Sequence, residues 1–384
     1  MLGVYVHVPF CLTRCHYCDF VTYTGMEGLR RPYAAALLAE AELATAALGP
    51  ETGQVVTSVF VGGGTPTLLP PGDLARVLDR LRELLDVAPD AEVTVEANPE
   101  TVDRAVADGL AAAGVTRVSM GAQSFDDRVL DALGRPHGAA QPGRAVAALR
   151  AAGIEAVNLD LIFGCPHEDA ASWAATLAAA VGLGPEHLSA YALTIEPATK
   201  FGRLVASGRM AGPDEDLLAD RYETACATLA GAGYGHYEVS NWARDDPAAP
   251  GGRLPARASR HNLTYWRRGS YLGLGAGAHE FTGGVRRWNV NGVPEYLAAV
   301  AAGRRPTAGQ ESLSATQAAF ELLALRLRTA DGLDPAEARQ LGVDPSGPEA
   351  AELRAAGLLT AGPRVALTEQ GMFLHGDVVT RLAP

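Results

Sequence analysis

Along the first 200 residues, two hydrophobic periods alternate. Short apolar runs rich in β-branched residues occur at VYVHV (4–8), VTSVFVGG (56–63), EVTVEAN (92–98), RVSMGAQ (117–123), AVNLDLIFG (156–164) and HLSAYALTI (187–195). Between them lie Ala- and Leu-rich stretches with helical spacing at 32–48, 70–85, 101–114, 139–153 and 169–182. Strand followed by helix, repeated, predicts βα units and a parallel sheet. Right-handed crossovers would either curl six such units into a partial barrel or open them into a doubly wound sheet. The pattern alone leaves both open.

Polar residues recur where these strands end. Gly62, Gly63, Gly64 and Thr65 close the second run, Glu96 and Asn98 the third and Gln123 the fourth, while Asp160 sits inside the fifth. A polar residue within an apolar strand is costly unless satisfied, so a recurrent set predicts one shared site at that rim. Beyond residue 200 the pattern changes. A helical stretch at 216–233 leads to a Pro-, Gly- and Arg-rich loop at 245–259, then to HNLTYW (261–266) and YLGLGAGAHEF (271–281), both read as strands. From about 310 the tail predicts helices with a short β wing. The expected divisions are 1–200, 201–305 and 306–384.

Composition narrows the class. The chain has 384 residues, 48% of them hydrophobic and 20% charged, with a net charge of −12. That balance offers no broad cationic face and argues against nucleic acid as a partner. Lys200 is the only lysine, which argues against Schiff-base chemistry. There is no apolar run of about 18 residues and no basic, cleavable leader in MLGVYVHVPFC, so a cytoplasmic protein with reduced thiols is expected.

Three of the five cysteines, Cys11, Cys15 and Cys18, stand within eight residues as C-x3-C-x2-C. A disulfide framework fits neither the odd count nor the compartment. Zinc would need a fourth ligand, with His7 and His16 as candidates. The remaining reading is an iron–sulfur cluster on three thiolates with one iron left open. From the spacing alone, zinc and cluster both stand.

The neighbourhood of the cysteines adds a resemblance. C-x3-C-x2-C after the first strand, with Tyr17 before the third cysteine, resembles the radical S-adenosylmethionine superfamily. YVHVPFC, GGGTPT, VEANPE, SMGAQSF, LGRPH and NLDLIFG follow in order and resemble its coproporphyrinogen dehydrogenase-like branch, over about residues 3 to 285. The resemblance implies a partial (β/α)6 TIM-like barrel with a small, mostly helical C-terminal domain. It implies a [4Fe–4S] cluster on Cys11, Cys15 and Cys18 whose free iron takes S-adenosylmethionine. It also implies cofactor contacts from Tyr5, Tyr17, Gly63, Gly64, Thr65, Glu96, Gln123, Arg135 and Asp160, and from Ala192 across an alignment gap. Arg135 suits a carboxylate; Glu96 and Asp160 suit ribose hydroxyls or the amino group. Gly63 and Gly64 would let backbone approach the methionine moiety.

Two departures select a group within the branch. The dehydrogenase has a further cysteine where this chain has Phe20, and a long N-terminal extension where ten residues precede Cys11. Both departures, and the H-N-x-x-Y-W pattern of HNLTYW, match the HemW group of proposed haem chaperones. His261 would then be a haem ligand beside aromatic rings, against the plainer reading of a strand residue packed on the barrel. Expected partners are haem, a haem-acceptor protein (a membrane-associated one included) and a reductant such as flavodoxin or ferredoxin. A radical enzyme on the same scaffold, either a coproporphyrinogen III oxidase or a methyltransferase, is the alternative; a zinc protein is a third.

Overall fold

Six parallel strands stand side by side in chain order: β1 (Leu2–Val8), β2 (Val56–Gly63), β3 (Val87–Ala97), β4 (Arg117–Gln123), β5 (Ala156–Phe163) and β6 (His187–Ala192). The computed structural model describes residues 1–245 and 253–383. Because each new strand adds on the same side of the last, right-handed crossovers put the connecting helices on one face, and the sheet curls as a partial barrel. A doubly wound sheet would reverse its strand order midway. That choice, open in the sequence, is closed by the order.

The strands read as near-continuous apolar runs because both faces are covered. Val4 pairs with Val59, Val59 with Val93, Val95 with Val118 and Val118 with Val157, and all of these side chains are buried. The outer helices are stopped and started locally. Asp103 and Asp169 cap Arg104–Ala112 and Ala170–Gly182 with their carboxylates, and Gly134 ends Asp127–Leu133 at φ 73°.

Six further strands extend the sheet beyond the predicted core. They are β7 (Gly235–Glu238), β8 (Asn241–Ala243), β9 (Ser270–Leu274), β10 (His279–Thr282), β11 (Val285–Asn289) and β12 (Thr307–Ser312). β9 lies parallel to β1, β10 to β12 continue as an antiparallel meander, and β8 and β7 finish the opposite edge. β12 pairs with β11, so the helical C-terminal unit starts later than the expected boundary at 306. Its helices, from Ala315–Leu327 to His375–Leu382, enclose a separate core that includes Leu323, Leu327, Leu353 and Val378. The β wing expected there is reduced to isolated bridges, Leu333 to Val365 and Leu359 to Leu367.

HNLTYW is not a strand. Residues Arg260–Trp266 form a helix, with the Ser259 hydroxyl accepting from the Asn262 backbone N–H at its start. Six residues of apolar–polar alternation are too few to fix a period, and the cap decides. The loop expected at 245–259 falls in part on residues outside the described ones.

Candidate functional site

The C-terminal ends of β1 to β6 open into one cavity of about 730 Å³. The loop after β1 brings Cys11, Cys15, Tyr17 and Cys18 to its wall, and Tyr5 faces it from the strand itself. Gly63 and Gly64 reach it from the end of β2, Glu96 from β3, Gln123 from β4, Asp160 from β5 and Ala192 from β6. Arg135, just past the helix that follows β4, and His261 also line it. Thr65 is fully buried behind the wall. The sequence-predicted residues therefore converge.

Several contacts hold the cysteine loop. The Thr65 hydroxyl donates to Cys11 Sγ at 3.7 Å and itself accepts from the Asn98 amide at 2.9 Å. Arg135 donates through Nη1 to Cys15 Sγ at 3.3 Å, and through Nη2 to Asn98 Oδ1 at 2.6 Å and the Gly121 carbonyl at 2.9 Å. Burial pushes the Cys11 and Cys18 thiols up, a cost that a bound cation offsets. Arg135 Nε is buried with no partner and Nη1 uses one of its two hydrogens, leaving two donors for an incoming carboxylate. The expected carboxylate role of Arg135 thus rests on Nε and the second hydrogen of Nη1, since Nη2 is fully committed.

The zinc reading loses its auxiliary ligands. His7 sits between the Tyr5 hydroxyl and the Val21 carbonyl, each at 2.8 Å, and His16 between the Ala132 carbonyl and Lys200 Nζ, also at 2.8 Å. Among the described residues, the three sulfurs do not all lie within 4.8 Å of one another. Zinc bonds of about 2.3 Å would require thiolates about 3.8 Å apart. A multi-iron cluster, with each thiolate on a different iron, spreads its ligands more widely. The donor set fits a cluster.

The two glycines are also required by packing within the protein. At Gly63, with φ 113°, a Cβ would lie 2.4 Å from the His7 ring, and at Gly64 it would lie 2.6 Å from the Phe10 carbonyl. Both glycines let protein pack on protein where β2 passes the cysteine loop.

Two carboxyls face the cavity from a buried floor. Glu96 accepts from the Gly63 N–H at 2.8 Å; burial, and then the neighbouring Asp160 charge, push it up to about 7. Asp160 accepts from the Ser119 hydroxyl at 3.0 Å and the Asn158 amide at 2.8 Å, and burial raises its pKa as well. Such carboxyls gain from a cationic or hydroxyl-bearing ligand. Gln123 holds φ 63° at a β-strand end, an unusual conformation at the cavity wall.

Sequence reasoning missed the polar floor beneath the carboxyls. Asn158 accepts from the Ser189 hydroxyl at 3.2 Å and bonds His187 Nδ1 at 2.6 Å, and Asn241 bonds Ser189 at 3.0 Å. The signal was present as isolated polar letters in RVSMGAQ, AVNLDLIFG and HLSAYALTI.

His261 is fully buried yet borders the cavity. Its Nδ1 meets the Ser58 hydroxyl at 3.0 Å and its Nε2 the Tyr265 hydroxyl at 2.8 Å, with the Phe60 ring stacked 5.1 Å away. Burial lowers its pKa to about 3, so the imidazole is neutral. Trp266 packs instead on Tyr237, at 5.9 Å.

Comparison with known proteins gives this geometry a class. The Radical SAM superfamily pattern matches residues 5–180. The fold is similar to that of the Escherichia coli radical SAM coproporphyrinogen III oxidase (HemN), with a TM-score of 0.81 and 23% identity over 99% of this chain and 89% of that one. Across 99% of its length the chain is 46% identical to the Mycobacterium tuberculosis protein named heme chaperone HemW, of which it covers 94%. It is 33% identical to the Bacillus subtilis protein of that name, covering 98% of each. The chain belongs to the HemW family of radical SAM proteins. Membership implies S-adenosylmethionine and an iron–sulfur cluster. No helix among the described residues is long and apolar enough to cross a membrane.

Proposed function

We propose that the protein is a haem chaperone: it binds haem and passes it to an acceptor protein, with a [4Fe–4S] cluster and S-adenosylmethionine in the barrel cavity. The observation that carries this reading is the 46% identity, end to end, with the Mycobacterium tuberculosis haem chaperone. Cys11, Cys15 and Cys18 would hold the cluster. The Arg135 Nε donor, Glu96 and Asp160 would receive the carboxylate, amino and ribose groups of S-adenosylmethionine. Tyr5, Tyr17, Gly63, Gly64, Gln123 and Ala192 would shape the wall, and Thr65 would steady Cys11 from behind.

His261 is the proposed haem ligand. Ser58 meets Nδ1 and Tyr265 meets Nε2 at the cavity border; in the haem-bound form Nδ1 would carry the hydrogen and Nε2 the lone pair. A second ring nitrogen fixed by a hydrogen bond is the usual setting of a metal-bound imidazole. Iron would displace the Tyr265 hydroxyl. Phe20, 71% exposed at the cavity rim, stands where the dehydrogenase branch has its extra cysteine, which supports a carrier over that enzyme.

The test is an anaerobic Soret titration of cluster-loaded protein beside an assay with coproporphyrinogen III. One haem bound per chain, and transferred to an apo-haemoprotein, is expected. Failure to bind haem, or decarboxylation of the porphyrinogen well above a Cys15→Ala control, would overturn the reading.

A further inference from the structure

Away from the cavity, where the C-terminal unit meets the sheet, three side chains from distant parts of the chain converge. Cys226 lies on the helix Glu215–Gly231, His236 on β7, and Glu369 opens the short helix Glu369–Phe373. The sulfur, an imidazole nitrogen and a carboxylate oxygen all lie within 4.8 Å of one another. Among the described residues no other trio of His, Cys, Asp or Glu does so. From sequence, Cys226 reads only as a core residue.

The imidazole supplies an independent observation. The His236 side chain is 7% exposed, and its Nδ1 lies 4.0 Å from Glu369 Oε1 with no hydrogen-bond partner. Its Nε2 meets oxygens only: the Val239 carbonyl at 3.3 Å and the Tyr222 hydroxyl at 3.4 Å. The Tyr222 proton is given to the Val239 carbonyl at 2.8 Å, so Nε2 must carry the ring hydrogen. Nδ1 is then a bare lone pair, buried and aimed at Cys226 and Glu369. Trp242 stacks on the ring at 4.3 Å and 9°, fixing that aim. Burial brings the His236 pKa down to about 4, so the ring is neutral.

Left as it stands, this cluster is costly. A buried acceptor lacks a donor, and burial together with the Glu369 charge holds the Cys226 thiol up at about 12. One cation would satisfy all three groups. A thiolate, an imidazole and a carboxylate suit zinc, whereas calcium and magnesium prefer oxygen throughout. An outer nitrogen held by a backbone carbonyl is the usual support of a metal-bound histidine.

The geometry points to a site for one zinc-class divalent cation held by Cys226 Sγ, His236 Nδ1 and the Glu369 carboxylate, with a fourth position for water, clamping the C-terminal unit to the barrel. Zinc bonds of about 2.0–2.3 Å need the ligands closer than they stand. Glu369, 59% exposed, is the one free to swing inward.

The test uses full-length, cluster-loaded protein, titrated anaerobically with zinc chloride, gel-filtered, and assayed for zinc and iron per chain and for Tm. The wild type should retain one zinc beyond its iron and gain several degrees in Tm. Glu369→Gln, at an exposed position, and Cys226→Ser should each bind zinc at least tenfold more weakly, with iron content and circular dichroism unchanged. The proposal falls if the wild type retains no zinc. It falls equally if both variants retain zinc as the wild type does, which would place the metal at vacated cluster thiolates or elsewhere. Should Cys226→Ser fail to fold, Glu369→Gln alone decides.

Discussion

Replacing Tyr265 by Phe should strengthen haem binding while weakening the fold, a pairing of signs that a purely structural His261 does not produce. In the resting protein the Tyr265 hydroxyl is hydrogen-bonded to His261 Nε2 at 2.8 Å, and iron can reach that nitrogen only by displacing it. A buried hydrogen bond of this kind has a net worth of about 1 kcal/mol, and removing the competitor returns that amount to the iron complex. The expected gain is roughly fivefold to tenfold in haem affinity. By the same cycle, the deletion leaves Nε2 without its buried partner and costs the apo fold the same amount, about 1 kcal/mol. His261→Ala should weaken haem binding by at least about tenfold, roughly 1.4 kcal/mol, because it removes the iron bond itself. The measurement is a Soret titration of each variant, with circular dichroism and iron content as controls for folding and cluster. Unchanged affinity in a folded, iron-replete Tyr265→Phe protein would refute the assignment of His261 as the ligand.

S-adenosylmethionine should bind more tightly as pH rises from 6 to 8. The free-state pKa of Glu96 is about 7, and a cationic amino group selects its ionised form; Glu96→Gln should flatten the profile in calorimetry. The same raised pKa makes Glu96 a group whose contribution to apo stability is complete below its unfolded value of 4.5 and lost as pH rises through 7, so Glu96→Gln should also flatten that loss in thermal melts. Replacing Cys11, Cys15 or Cys18 with Ala should abolish anaerobic reconstitution, which in the wild type should reach about four irons and four sulfides per chain; stoichiometric zinc without iron–sulfur absorbance would count against the cluster. Gly63→Ala should cost about 3 kcal/mol in denaturant titrations, because its Cβ meets the His7 ring at 2.4 Å from a backbone at φ 113°.

How much of this could be read from letters depends on the distance over which each feature is decided. The six core strands were legible because burial on both faces writes Val, Leu and Ile continuously along each of them, a property of each segment alone. The site residues were legible because the fold is an ordered series: once strand ends share one rim, a polar residue at each end shares one cavity. Strand order was not legible, since it depends on which neighbour each strand pairs with across about 30 to 50 residues. The helix at Arg260–Trp266 was misread because His261, Leu263 and Tyr265 alternate with Asn262 and Thr264, and nothing within those letters outweighs the alternation. Ser259, one residue before the helix, carried the deciding signal.

That misreading changes what His261 can do. On a strand edge its imidazole would project freely, and any haem nearby could reach it. On the first turn of a helix packed against β2, it is pinned between the hydroxyls of Ser58 on that strand and Tyr265 one turn later. Ser58 engages Nδ1, and Tyr265 covers Nε2, the nitrogen that iron would take under the proposed assignment. The (i, i+4) spacing of His261 and Tyr265 puts both on one helical face. The capping hydroxyl is therefore removed by rotating one side chain, with no refolding of the helix. Under the proposed assignment, a ligand held shut by only about 1 kcal/mol would exchange readily, which suits a carrier better than a haem enzyme.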